Sequence, residues 1–395
     1  MKITLHAANN FDKVIERETP CSIEEIVNSL QGEFPYEILL CRIDGRPAPL
    51  NTVADHDCTV DLLDLRSAAG NMAYQISLTF LYIKAVHDVL GTNTRVVISN
   101  SLSKGLFTQI RAGGIDDTTA GKIASRMNAL IRADAPFTGK RVNRNELEDF
   151  LSRYGRKDQT DLLKSSPDLK EAYLYTLDGE TEVFYHLLVP SAGYLKWFEV
   201  RRYKNGMLLR FPHQSRPDMV LPFEEQKQLY DAFSDAYHWD KIMRVEYAAD
   251  LNKLINRNDY SDLVLLSEAL HEKKIAEIAE EIKRLGKRIV LVAGPSSSGK
   301  TSFAKRLCIQ LRVSGLRPLY MGTDDYFLER WETPLLENGE KDYESIRAMD
   351  INLFTKQMND LLSGKKVDLP EFDFITGTKT FGKRFESLEP GQPVV

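Results

Sequence analysis

A glycine-rich run between an apolar run and a helical pattern constrains the fold of this 395-residue chain more than any other feature. Residues 289–293 read IVLVA, which is typical of a parallel strand that is buried on both faces. The run GPSSSGKT at 294–301 follows at once, and apolar residues then recur at helical spacing, at Ala304, Leu307, Cys308 and Leu311. This order predicts a strand, a glycine-rich loop and a helix, which together form a unit of a parallel α/β sheet.

The glycine-rich run matches the pattern GxxxxGK[ST], whose residues suit a phosphate-binding loop. Gly294 and Gly299 let the backbone turn so that N–H groups and the helix N-terminus face phosphate oxygens. Lys300 places a cation beside the β- and γ-phosphates, and the hydroxyl of Thr301 suits Mg²⁺. A plain turn that joins strand to helix is the alternative. We expect ATP and Mg²⁺ as cofactors, and we expect the nucleotide to contact Gly294, Pro295, Ser296, Ser297, Ser298, Gly299, Lys300, Thr301 and Ser302.

A second strand is predicted at Leu319–Met321, and it delivers Thr323, Asp324 and Asp325 to its carboxyl end. Ligands of open α/β sheets bind at that edge. A carboxylate there can accept a proton from an attacking hydroxyl or hold Mg²⁺ through water. The alternative is that both aspartates only cap a turn.

Four motifs in this region resemble the uridine kinase family of P-loop nucleoside kinases. They are GPSSSGKTS from 294, TDDYF at 323–327, DYESIRAMD at 342–350 and LPEFDF at 369–374. The resemblance implies that Lys300 and Asp324 are catalytic and that Asp324 accepts the proton of the 5′-hydroxyl. It also implies that Glu344 contacts the sugar and Phe372 the nucleobase. Gly377 stands where the family has a base-contacting His, so the resemblance does not fix the acceptor.

The last two residues, Val394 and Val395, have the character of the start of a buried strand. A strand cut after two residues leaves an unpaired buried edge. We therefore expect the kinase-like domain of this chain, residues 287–395, to be incomplete, with a natural short variant as the alternative.

The first 68 residues predict a small α+β module. Strands are expected at Lys2–Leu5, Ile38–Ile43 and Thr59–Leu63, and Ser22 with Glu25 has the form of a capping box at a helix N-terminus. With the segments IDGRPAPLNT and CTVDLLDL, this order resembles the TGS domain, a ubiquitin-like β-grasp module. The resemblance implies RNA or protein binding and no catalysis.

Residues 69–225 predict a second α+β region. Helices are expected at 75–90 and from a Thr118–Thr119 cap onward, and strands at Tyr173–Leu177, Val183–Val189 and Met207–Phe211. The segments VPSAGYLKWFEV at 189–200 and MNALIRADAPF at 127–137 resemble the second additional domain of threonyl-tRNA synthetase, which edits misacylated tRNA.

The editing chemistry of that family does not follow from the resemblance. Editing there needs an HxxxH pair and a CxxxH pair, which by position fall on Ile76 and Phe80 and on Phe184 and Leu188. None of these four side chains can ligate a metal or position a water. His186 lies within the second segment, but a lone His is more often structural. A scaffold or sensor role is therefore expected.

Residues 226–286 predict a helical connector. Leu266, Leu270, Ile275, Ile282 and Leu285 follow a helical stripe. The stripe suits packing against the chain's own domains, with a dimer seam as the alternative.

The composition excludes some classes of function. With 52 Lys and Arg against 57 Asp and Glu, the net charge is −5, so any RNA contact would be local. Four dispersed cysteines without a CxxC pair predict reduced thiols. No leader-like or membrane-length apolar run is seen, which predicts a cytoplasmic protein without membrane contact.

The motifs together predict a multidomain α+β and α/β chain: a β-grasp module, a region like the synthetase editing domain, a helical connector and a partial P-loop sheet. The expected activity is ATP- and Mg²⁺-dependent phosphorylation of the primary hydroxyl of a nucleoside or similar small alcohol. The alternative is a nucleotide-gated RNA-binding or regulatory protein without kinase turnover. No pattern specifies the oligomeric state.

Overall fold

The computed structural model of the chain describes residues 1–8, 11–30, 32–111, 115–295 and 297–395. It is mixed α/β, with several small sheets, and it divides into two compact units, Met1–Asn258 and Asp259–Val395. In the described ranges, no helix combines the length and apolar character that crossing a membrane requires.

Unit 1 begins with a five-stranded sheet and one short helix. The elements are β1 (Lys2–Ala7), β2 (Phe11–Glu16), β3 (Cys21–Ser22), α1 (Ile23–Ser29), β4 (Ile38–Ile43), β5 (Arg46–Ala48), β6 (Val53–Ala54) and β7 (Cys58–Asp64). The sheet order is β2-β1-β7-β4-β5, in which β1 and β7 are parallel and the other pairs antiparallel. The three strands that the sequence predicts here are confirmed.

Local sequence explains this part of the fold. Ser22 and Glu25 form the predicted capping box, with the Ser22 hydroxyl accepting from the Glu25 N–H at 3.1 Å. Ile3 and Leu5 are the buried residues of β1 and point to the same face of the strand, so both side chains pack in the core with Ile23 and Ile26.

The rest of unit 1 contains two further sheets. Its elements are α2 (Ala68–Leu90), β8 (Arg95–Leu102), β9 (Gly105–Arg111), α3 (Asp117–Arg132), β10 (Thr138–Asn143), α4 (Arg144–Arg153), α5 (Lys157–Lys164), β11 (Glu171–Leu177), β12 (Glu180–Phe184), β13 (Glu199–Tyr203), β14 (Gly206–Arg210), α6 (Lys227–Met243) and α7 (Ala248–Asn256). The sheet orders are β13-β14-β9-β8 and β10-β11-β12. Helix α2 lies in the core of the unit, with Leu78, Phe80 and Leu81 fully buried.

Three predicted boundaries in this region are wrong. Helix α2 starts at Ala68, not at 75, because the Ser67 hydroxyl caps it. The cap of α3 is Asp116, whose carboxylate accepts from the Thr119 N–H. Strand β12 ends at Phe184, not at 189, since the N–H groups of Leu188 and Val189 donate to side-chain hydroxyls and not to a neighbouring strand.

Unit 2 is built on two packed helices and a hairpin. Its elements are α8 (Ser261–Leu285), α9 (Lys300–Val313), α10 (Ile351–Leu362), β15 (Val367–Asp373) and β16 (Thr378–Glu386). Ile275, Ala279 and Ile282 of α8 pack with Leu307 and Leu311 of α9. The predicted apolar stripe is therefore covered by the chain's own α9 at these positions, whereas Leu266 and Leu285 stay exposed.

Three short segments pair in parallel beside α9. Val394 bridges Ile289 on one side and Leu319 on the other. The Val290 N–H donates to the Val394 carbonyl at 2.9 Å, and the Met321 N–H donates to the Val395 carbonyl at 2.9 Å. The terminal valines thus lie between the two predicted strands.

The prediction that 289–293 is buried on both faces is wrong. Val290 and Val292 pack into the core with α8 and α9, but Leu291 is 82 % exposed and Ile289 42 % exposed. The side chains alternate between two faces, and in the described part of the chain only one of these faces is covered.

Candidate functional site

The glycine-rich loop leads directly into α9. Gly299 has φ 84° and Ser297 φ 59°, and the Gly299 carbonyl accepts from the Phe303 N–H at 2.9 Å. Among the described residues no side chain caps α9, so its first N–H groups face the loop, where an anion is favoured. Ser296, one of the predicted contact residues, lies outside the described residues.

Lys300 folds back over this loop. Its Nζ donates to the Pro295 carbonyl at 2.7 Å, which holds the ammonium close to the helix N-terminus. A Cβ added at Gly294 would lie 2.8 Å from the Ser298 Oγ, so a side chain there would crowd the loop. The backbone therefore explains both glycines of the motif.

A cavity of about 420 Å³ opens beside the loop. Gly294, Lys300, Thr301 and Asp324 line it together. The structure thus brings the predicted cation, the predicted metal-binding hydroxyl and the predicted carboxylate to one space. Apolar side chains that were not predicted to belong to the site complete the lining, among them Tyr320, Met321, Phe354, Met358, Val394 and Val395.

The two adjacent aspartates occupy different environments. Asp324 is exposed and lines the cavity. Asp325 is half-buried, and its Oδ1 accepts from the Phe372 N–H at 3.3 Å. Burial raises the pKa of the Asp325 carboxyl above its ordinary value. Asp325 therefore anchors strand β15, and Asp324 is the carboxylate available to a ligand.

The predicted acceptor residues do not join this site. Glu344 is exposed and does not line the cavity. Phe372 packs its ring 5.1 Å from Phe374 and 5.8 Å from Phe327. Gly377 lies in a turn with φ 72°, where its carbonyl accepts from the Arg330 N–H. The structure therefore assembles a cavity beside the glycine-rich loop without the sugar and base contacts that the kinase resemblance implied.

In unit 1 the four positions of the editing pairs do come together. Ile76, Phe80, Phe184 and Leu188 belong to one apolar cluster, and the Phe80 and Phe184 ring centroids are 5.1 Å apart. Phe80 is 0 % and Leu188 1 % exposed. The cluster is closed by Phe137, whose ring centroid lies 5.9 Å from that of Phe80.

The environment of this cluster suits packing and not metal binding. In the part of the chain that the structure describes, no group of three His, Cys, Asp or Glu side chains is placed to hold a metal ion. His186 is exposed. The side chains that meet where the ligand pairs would lie are phenyl and aliphatic groups, which cannot orient a water.

Comparison with known proteins identifies relatives of the N-terminal part of the chain. No protein-family model matches the chain. It is 28% identical to the threonine–tRNA ligase of Paraburkholderia xenovorans over 192 residues, which is 48% of this chain and 30% of that protein. The threonine–tRNA ligases of Paraburkholderia phymatum and Burkholderia cenocepacia are each 27% identical over the same shares. The match thus spans about 30% of the length of these relatives, and it supports a threonyl-tRNA synthetase-like component.

These relatives correct the predicted activity. The relatives are threonine–tRNA ligases and not nucleoside kinases, so the prediction of a nucleoside kinase is wrong, and with it the classification as a phosphotransferase. The structure agrees with this correction, because neither Glu344 nor Phe372 lines the cavity beside the glycine-rich loop. The uridine-kinase resemblance rested on short motifs, and those motifs describe the loop and its helix better than an acceptor site.

Proposed function

We propose that this chain is a nucleotide-gated RNA-binding protein, related to the N-terminal part of threonine–tRNA ligases and without editing chemistry. In this proposal residues 1–68 are a TGS-like β-grasp module and 69–225 a region like the synthetase second additional domain. Residues 226–286 are a helical connector, and 287–395 carry a P-loop-like phosphate site. RNA is the proposed partner of unit 1.

The observation that carries the proposal is the apolar cluster at the editing positions. In this proposal the surrounding fold serves tRNA binding, whereas Phe80, Phe184 and Leu188 stand in place of the groups that would hydrolyse the aminoacyl ester of a misacylated tRNA. Sequence similarity to threonine–tRNA ligases supports RNA as the ligand class. The β1-β7 parallel pairing and the crossing helix α1 are consistent with a β-grasp module.

The phosphate cavity supports the nucleotide part of the proposal. Lys300 and Thr301, the first residues of α9, line one space of about 420 Å³, and no described side chain caps this helix N-terminus. These groups fit a nucleotide triphosphate with Mg²⁺, which would lie at Thr301 and near Asp324.

Basic residues around the loop offer further phosphate contacts. From Glu281 to Arg317 the chain has nine Lys or Arg against one acidic residue. Arg306 and Arg284 pair with Glu272 and Glu281 respectively. Because these two arginines are already in ion pairs, the proposal gives the main phosphate contact to Lys300, whose ammonium lies over the loop. In the proposal this ammonium binds the nucleotide and not RNA.

The proposal is tested by gel-shift titration of the full chain with unmodified tRNA, with and without Mg-ATP. We expect affinity that falls steeply with salt and changes on addition of Mg-ATP. Lys300→Ala should bind tRNA but lose the response to Mg-ATP. Lys356→Ala, an exposed lysine on α10 outside the cavity, is the matched control and should keep the response.

Two outcomes would contradict the proposal separately. No tRNA binding at low salt would remove the RNA-binding function. A response to Mg-ATP that Lys300→Ala leaves intact would remove the phosphate site from the gating role. Calorimetric titration of Mg-ATP into the chain, with the same two variants, distinguishes a failure of nucleotide binding from a failure of coupling.

A further inference from the structure

A second cavity lies within unit 1, and none of the four editing positions lines it. Its volume is about 290 Å³, and helix α6, strands β8 and β9 and the segment before α7 line it. Five aromatic side chains contribute to its wall: Phe107, Tyr230, Phe233, Tyr237 and Tyr247.

The helix supplies its part of the wall through a regular pattern. Tyr230, Phe233, Tyr237 and Asp240 are separated by three, four and three residues, so all four lie on one face of α6. The pattern does not stand out in the sequence, because polar residues lie between these four positions and the spacing matches no known motif. Phe233 is 39 % exposed, which places it at the mouth of the cavity.

The two charged residues that line the cavity are acidic, and from behind its wall Arg111 donates to the Tyr237 hydroxyl at 3.2 Å and Arg95 to the Tyr247 hydroxyl at 2.6 Å. Asp240 and Glu246 line the cavity, and no Lys or Arg does. In the described ranges the Asp240 carboxylate has no hydrogen-bond or ion-pair partner, and Glu246 meets only Arg111, at 3.4 Å. Burial raises the pKa of Asp240, and the charge of Glu246 raises it further. A cation in this space would relieve both effects.

The rings already attract cations from outside the cavity. Lys241 Nζ lies 4.3 Å from the centroid of the Tyr237 ring, and the Arg95 guanidinium lies 5.5 Å from that of Tyr247. Aromatic faces with nearby carboxylates are the usual receptor for organic ammonium ions. The cavity also contains a hydrogen-bond donor, because the Nδ2 of Asn100 is buried and has no partner in the described part of the chain.

We propose that this cavity binds a small organic ammonium ion that carries an oxygen acceptor near its charged nitrogen. The ammonium lies between Asp240, Glu246 and the tyrosine rings, and the oxygen accepts from the Asn100 amide. Free amino alcohols carry both an ammonium group and a nearby oxygen. A lysine side chain of another protein carries the ammonium group but no nearby oxygen. The nearby oxygen favours the free small molecule.

The test is calorimetric titration of the full chain with choline and with ethanolamine. The control ligand is 3,3-dimethylbutan-1-ol, which has the shape of choline without its charge. We expect the charged ligands to bind at least about tenfold more tightly than the neutral one. Nα-acetyl-lysine N-methylamide presents the lysine side chain, and weaker binding of this compound than of ethanolamine is expected.

Variants connect the binding to these residues. Asp240→Asn and Glu246→Gln should each weaken choline binding roughly tenfold, whereas Asp231→Asn, an exposed aspartate on the same helix outside the cavity, should leave it unchanged. Far-ultraviolet circular dichroism shows whether each variant is folded. Equal binding of choline and the neutral alcohol, or no binding of either charged ligand, would overturn the proposal. Tighter binding of the lysine compound would overturn the choice of a free amino alcohol.

Discussion

Replacement of Phe80 tests whether Ile76, Phe80, Phe184 and Leu188 form a packed core. The ring is 0 % exposed, and its centroid lies 5.1 Å from that of Phe184 and 5.9 Å from that of Phe137. Removing a buried Phe ring costs about 3–5 kcal/mol of folding free energy. Two aromatic pairs, each worth about 0.5–1.5 kcal/mol, are lost with it, so Phe80→Ala should fall in the upper half of that range.

The assay is urea unfolding of the full chain in a Trp331→Phe background. The chain has three tryptophans, and Trp331 is the one in unit 2, so the remaining fluorescence reports on unit 1 alone. Tyr185→Ala is the matched control, because Tyr185 is 51 % exposed and adjacent to Phe184; it should change stability by about 0.5 kcal/mol or less.

Phe80→His distinguishes a core from a hidden ligand site. An imidazole among apolar side chains has no hydrogen-bond partner, so this variant should lose at least about 3 kcal/mol, and Zn²⁺ should not restore the loss. A loss below about 1 kcal/mol for Phe80→Ala, or rescue of Phe80→His by Zn²⁺, would refute the reasoning.

Three further changes test the fold and electrostatics of unit 1. Ser22→Ala removes the hydroxyl that caps α1 and should lower the unfolding free energy of unit 1 by about 0.5–2 kcal/mol, measured by thermal or urea unfolding, with no effect on the unfolding of unit 2. Arg210→Met should cost at least about 2 kcal/mol by the same measurement, because Arg210 is 2 % exposed and donates to the Ser103, Leu221 and Pro222 carbonyls, which would lose this donor. His87 Nδ1–H donates to the Glu180 carboxylate, and this hydrogen bond raises the pKa of His87 above its ordinary value of 6.5. The stabilisation relative to His87→Gln should therefore be complete below pH 6.5 and disappear as the pH rises through the folded-state pKa. An NMR titration of His87 with a midpoint at or below 6.5, or a stability difference that grows with pH, would contradict this.

Much of the local structure could be predicted from the sequence, because it depends on neighbours along the chain. The capping box at Ser22, strand β4 and the helix after the glycine-rich loop each follow from residues that are close together in the sequence. That Gly294, Lys300 and Thr301 line one cavity was also predictable, since all three lie in one continuous segment of the chain.

Boundaries and activity were less predictable, because they depend on distant contacts. Strand β12 ends early since Ser77, more than a hundred residues away, takes the Val189 N–H. Short motifs suggested an acceptor site at Glu344 and Phe372, but the position of a residue within a motif does not fix where its side chain packs. The relatives corrected the activity that those motifs had indicated.

The sequence by itself determined which chemistry the chain can hold. It contains the cation, hydroxyl and glycines of a phosphate loop and lacks imidazole and thiol groups at the editing positions. Only the tertiary structure decided where these groups meet. Burial packs Phe80 against Phe184, and the folding of α6 over β8 and β9 brings Asp240 and Glu246 among aromatic rings. These contacts join residues far apart in the chain, and they form because apolar surface leaves water as the elements pack.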